Sequence, residues 1–148
     1  MFANRFSFLH PELVEAACIG SPGDWPILPI KELNNNLLRY PVGTSDWIDV
    51  TGESFKTEEI KKVNFNFFIG DKDINDSVLF DDSFELQDRE FILKNFGNIP
   101  VDRFRKAIPI MKENGLNLIY KEYKNVEHTV NQEMHKDIFD FLIKYSSE

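Results

Sequence analysis

The chain has 148 residues, a formal net charge of −8 and 42% hydrophobic residues, which suits one compact domain with an ample core. Its basic residues are scattered, with Lys61-Lys62 the longest run, so nucleic acid is not an expected partner, because duplex binding needs a basic face. No uninterrupted apolar segment is long enough to cross a membrane, the N-terminus lacks the basic-then-apolar pattern of a signal peptide, and the one cysteine, Cys18, excludes an internal disulfide, so the expected setting is cytoplasmic.

In chain order, Phe2, Phe6 and Leu9 have helical spacing and lead to His10-Pro11, where the helix is expected to stop because proline restricts the residue before it. Val14 to Gly20 reads as a short buried strand, with Cys18 as a small apolar core residue, and Ser21-Pro22-Gly23 as the turn after it. Asp24 to Thr51 is an irregular excursion that holds Trp25 and Trp47, with a short helix expected around Ile30–Leu38. Its apolar residues are too many for a disordered linker. Both tryptophans read better as core or cap packing than as pocket walls.

Val63, Phe65, Phe67 and Ile69 alternate with Asn64, Asn66 and Phe68, the clearest strand in the chain. Asp82 to Asn95 reads as a helix capped by Asp82 or Ser83 and stopped by Gly97. Val101, Phe104, Ile108 and Met111 continue at helical spacing, and Pro109 predicts a kink or two short helices. Gly115 ends that segment. Leu116 to Tyr123 is a second good strand, and Met134, Ile138, Phe141, Leu142 and Tyr145 form the apolar stripe of a last helix. Strands separated by helical segments imply crossovers, and hence an α/β domain with a short, mostly parallel sheet flanked by helices. No boundary divides residues 1–148 into two domains.

Catalytic groups in open α/β sheets gather at the carboxyl ends of the strands. Gly70-Asp71-Lys72-Asp73 closes one strand, and Val126-Glu127-His128 follows a later one. An acid and then a histidine, in this order, are the last two members of a Ser–Asp–His triad, in which the acid orients the imidazole and the imidazole moves the proton. The candidate catalytic residues are therefore Asp73 and His128. Asp71 and Asp76 are rival acids in the same loop, with Asp76 expected to bond loop backbone. A stretch so rich in Asp and Asn also suits plain turn chemistry.

Other candidates carry less. His135 reads as part of a solvated helix face and His10 as a helix-end residue. Three widely spaced histidines and one cysteine give no metal-ligand pattern, so neither metal nor cofactor is expected. Ser21 follows a strand, but its surroundings are not Gly-x-Ser-x-Gly, and Pro22 removes the backbone N–H that a nucleophile elbow contributes to the oxyanion hole.

The serial order of these segments resembles the α/β-hydrolase superfamily, most closely bacterial serine hydrolases of the esterase and polyhydroxybutyrate-depolymerase-like kind. Phe2-Ala3-Asn4-Arg5-Phe6 with Leu9-His10-Pro11-Glu12 resembles the helix that follows the nucleophile elbow. Ala16 to Gly23 resembles the next strand and its turn. Tyr40-Pro41-Val42-Gly43, with Asp46 and Thr51-Gly52, looks like the lead-in to the acid strand. Gly70-Asp71-Lys72-Asp73 with Asn75-Asp76-Ser77 resembles the acid loop, and Val126-Glu127-His128 the histidine loop. The early strands, the oxyanion-hole loop and the nucleophilic serine have no counterpart here.

What the resemblance implies is the C-terminal part of a hydrolase domain, from a truncated gene, an internal start or one piece of a split protein. It would carry the acid and base of an ester-hydrolysing site and be inactive by itself. A small ester would be its substrate only in a complete domain. The alternatives are a non-catalytic binding or interaction domain and a degenerate gene product. The strand at Val14–Gly20 would lack its neighbour, so a homodimer, or docking onto an upstream hydrolase fragment, is expected.

Overall fold

Three parallel strands organise the molecule: β1 (Ala16–Gly20), β4 (Asn64–Gly70) and β5 (Asn117–Tyr123), in the spatial order β1-β4-β5. The computed structural model describes residues 2–20, 25–76, 78 and 80–146. Ser21-Pro22-Gly23, Asp24 and Ser77 lie outside the described residues. The class is α/β, as the helix-separated strands predict.

The central strand explains the sheet. Every residue of β4 after Asn64 is buried, so its alternation of Phe with Asn and Phe does not mark a wet face. Odd-numbered Phe65, Phe67 and Ile69 enter the main core, while Phe68 enters a smaller one on the opposite face with Tyr123 and Met134. Burial on both faces is the usual state of a central parallel strand, whose crossovers bring helices to both sides.

The main core is closed by helices α1 (Phe2–Leu9), α4 (Leu86–Phe96) and α5 (Pro100–Glu113), through Phe8, Ile92, Phe96, Phe104 and Met111 among others. Helix α6 (Gln132–Tyr145) covers the other face through Met134 and Ile138. Asn131 caps α6 by accepting a bond from the Met134 N–H at 2.9 Å. Two smaller helices, α2 (Trp47–Thr51) and α3 (Thr57–Ile60), lie between β1 and β4. Among the described residues, no helix is long and apolar enough to cross a membrane.

Five sequence expectations need correction. The helix expected at Ile30–Leu38 is instead a small antiparallel hairpin, β2 (Glu32–Leu33) with β3 (Asn36–Leu37). Asn34 and Asn35 sit at φ 51° and 61°, the double left-handed turn that Asn tolerates and that suits a two-residue hairpin loop. Helix α4 begins later than Asp82. Its N-cap is Glu85, whose N–H donates to the Asp88 carboxylate at 3.1 Å. Ser83 instead turns back on Asp81, with its N–H and hydroxyl at 2.9 and 2.6 Å from one carboxylate oxygen.

Helix α5 runs as one element through Pro109 rather than as two short helices. Proline deletes one backbone bond there, and the buried stripe from Val101 to Met111 holds the helix on both sides of it. Strand β1 is shorter than Val14–Gly20. Cys18 is half-buried rather than a core residue, and burial pushes its thiol up despite the Asn66 amide beside the sulfur. The excursion that holds the tryptophans is ordered packing: Trp25 is 2% and Trp47 4% exposed, and Trp25 Nε1 donates to the Val42 carbonyl at 2.9 Å.

Strand β1 pairs with β4 on one side and with no described strand on the other. Beside that open edge runs an apolar groove between α1 and α6, lined by Phe2, Phe6, Ala16, Cys18, Leu142 and Tyr145.

Candidate acid–base site

The site is built by two loops that leave neighbouring strands side by side. Gly70 at the end of β4 is in register with Tyr123 at the end of β5. The loops are then joined by backbone. The Asp71 N–H donates to the Tyr123 carbonyl and the Lys72 N–H to the Val126 carbonyl, each at 3.0 Å. Asp71 receives the Asn125 N–H on its carboxylate at 2.6 Å. Gly70 is required at this junction, since a Cβ there would lie 2.2 Å from the Val126 carbonyl oxygen.

Beyond the junction the chain folds back, with the Asp73 N–H donating to the Gly70 carbonyl at 3.1 Å. Asp73 is 1% exposed. One of its carboxylate oxygens accepts the Asn75 N–H at 3.0 Å, and the other lies 2.9 Å from His128 Nδ1. The sequence therefore names two residues, 55 positions apart, whose side chains do meet. Asp71 is taken up in joining the loops.

Asp76 bonds loop backbone as expected and has a second partner as well. It accepts the Val78 N–H at 3.0 Å, and it also pairs with Arg103 of α5. The two terminal guanidinium nitrogens donate to one carboxylate oxygen each, both at 2.7 Å, and Arg103 is fully buried. Its Nε donates to the Gly97 carbonyl at 3.0 Å. Sequence reasoning passed over Arg103. The signal was its spacing: Pro100, Arg103 and Ala107 share the buried stripe of α5, and an arginine there needs a buried acid.

A carboxylate can only accept, so Nδ1 carries the hydrogen in the neutral imidazole and Nε2 presents its lone pair. That is the tautomer a general base needs. The histidine side chain is 45% exposed, so Nε2 sits at the rim of the sheet. Its neighbour is the Asn75 amide nitrogen, 3.1 Å away. Asn75 is thus a site residue to which the sequence reading gave no role.

The remaining histidines are elsewhere. His135 is exposed on α6, and His10 follows α1, its ring 5.2 Å from that of Phe6. Among the described residues, no group of three or more His, Cys, Asp or Glu is arranged to hold a metal ion. No family model matches this chain, and neither a curated protein nor a solved structure is significantly similar to it.

Proposed function

We propose that Asp73 and His128 are the orienting acid and the general base of a serine-type ester-hydrolase site, in the C-terminal part of an α/β-hydrolase domain. The nucleophilic hydroxyl comes from a segment other than the described residues. The observation that carries this reading is the 2.9 Å contact between a buried carboxylate and the Nδ1 of a half-exposed imidazole, placed past the carboxyl ends of adjacent parallel strands. In such a site Nε2 takes the proton of the attacking hydroxyl and returns it to the leaving alcohol, while the acid holds the ring and stabilises the imidazolium. The substrate class is a small ester.

A second reading, a non-catalytic interaction domain, is favoured by one observation: the open edge of β1 beside the apolar groove between α1 and α6. One experiment separates the two. The 148 residues are co-expressed with the reading frame that precedes Met1, and p-nitrophenyl ester turnover is measured. Turnover that His128→Ala and Asp73→Asn both abolish supports the hydrolase reading. Turnover that survives both substitutions overturns it, and no turnover favours the interaction domain.

A further inference from the structure

Of the two ring nitrogens of His128, only Nε2 can serve as the base, and that nitrogen is already engaged. The Asn75 amide nitrogen lies 3.1 Å from it. With Nδ1–H given to Asp73, Nε2 can only accept, so the amide presents its N–H to the ring. The same residue is tied to the acid, since its backbone N–H donates to the Asp73 carboxylate. Asn75 therefore closes a small ring of contacts: backbone to acid, acid to imidazole, imidazole to side-chain amide.

We infer that Asn75 is a latch on the base: its side chain occupies the hydrogen-bonding position that a nucleophile's hydroxyl must take, and it must swing away before His128 can accept a proton. This rests on the reading of His128 as general base and adds a regulation of that site. The geometry suits a removable latch. Asn75 is exposed, and the Asp73 contact that shapes the loop uses its backbone N–H, so the side chain can rotate without dismantling the turn. An incoming hydroxyl would replace one donor to Nε2 by another, which makes the exchange close to neutral in hydrogen bonds.

The test reads Nε2 directly and needs no ester turnover. Diethyl pyrocarbonate acylates a free imidazole nitrogen: the Nε2 lone pair forms an N–C bond to the carbethoxy carbon, ethyl carbonate leaves, and the Nδ1 proton is given up to solvent. The rate at His128 is followed by mass spectrometry in the wild-type chain, Asn75→Ala and Asn75→Leu, with His10 and His135 as internal references. Loss of the amide should speed the reaction at His128 by about 2- to 10-fold, the range one ordinary hydrogen bond supplies, and leave the references unchanged. Acceleration in both variants supports the latch. Acceleration in Asn75→Ala alone means bulk rather than the amide shields the ring, and no acceleration means nothing holds it; either result overturns the inference.

A second measurement needs no variant. A long-range 1H–15N spectrum of the wild-type chain should place the His128 proton on Nδ1, and a proton on Nε2 in the neutral ring would overturn the latch. The two ideas fail separately. Faster acylation without ester turnover in the co-expressed complex would sink the triad and keep the latch. Unchanged acylation beside His128-dependent turnover would do the reverse.

Discussion

Arg103 holds both carboxylate oxygens of Asp76 at 2.7 Å, and through that grip helix α5 fixes the loop that carries Asp73. Arg103 is fully buried and the Asp76 side chain is 14% exposed. Removing one partner of such a pair strands a charge in the interior, whereas replacing both by apolar groups does not. Asp76→Ala should therefore destabilise the fold by about 3–5 kcal/mol, measured by urea unfolding. The pair Asp76→Leu with Arg103→Met should recover much of that loss. A single-variant loss below about 1 kcal/mol, the scale of an ordinary exposed pair, would mean that Arg103 is satisfied without Asp76.

The isolated chain should hydrolyse no p-nitrophenyl ester above background. The sequence holds no Gly-x-Ser-x-Gly elbow, and an acid and a base alone cannot form an acyl-enzyme. Clear turnover abolished by His128→Ala would contradict this and point to a nucleophile such as Ser21, which lies outside the described residues.

The chain made by itself should associate. The outer edge of β1 meets no strand among the described residues and lies beside apolar side chains, the arrangement that recruits another strand. Phe2 is 78% and Leu142 41% exposed on either side of the groove. Light scattering at micromolar concentration should give a mass above that of one chain, and Leu142→Lys should lower it. A monomer whose β1 amides resist hydrogen exchange would show that the edge is already covered.

Stability at acid pH should depend on Glu122 of β5. The Arg105 guanidinium bonds both of its carboxylate oxygens, at 2.9 and 2.7 Å, and holds it below the usual carboxylate range, with burial opposing and the Tyr120 hydroxyl assisting. A carboxylate held low in the folded state adds stability that is present above its unfolded value and lost as pH falls through its folded one. Arg105 is half-exposed, so the contribution should be about 0.2–1 kcal/mol. Thermal melts from pH 7 to pH 2 should show a smaller acid-side loss for Glu122→Gln than for wild type. Equal slopes would remove Glu122 as a source of the acid sensitivity.

Local pattern in the chain was enough to locate the strands β4 and β5, the helices α1 and α6, the parallel sense of the sheet, and Asp73 and His128 as the pair to examine. Periodicity reports which face of an element is buried, and crossover length limits strand direction. Where those rules were silent or in conflict, tertiary contacts decided. Asn34-Asn35 turned an expected helix into a hairpin through two left-handed residues. Helix α5 passed through Pro109 because its buried stripe outweighs one missing backbone bond. The partner of Asp76 lies 27 residues away on α5, and the residue on His128 Nε2 lies 53 positions before it. Neither distance leaves a local trace. The sequence determined which groups reach the end of the sheet, because strand order and turn residues are local chemistry. Which of them meet, and which nitrogen each one holds, was set by the packing of two loops across the Gly70–Val126 junction.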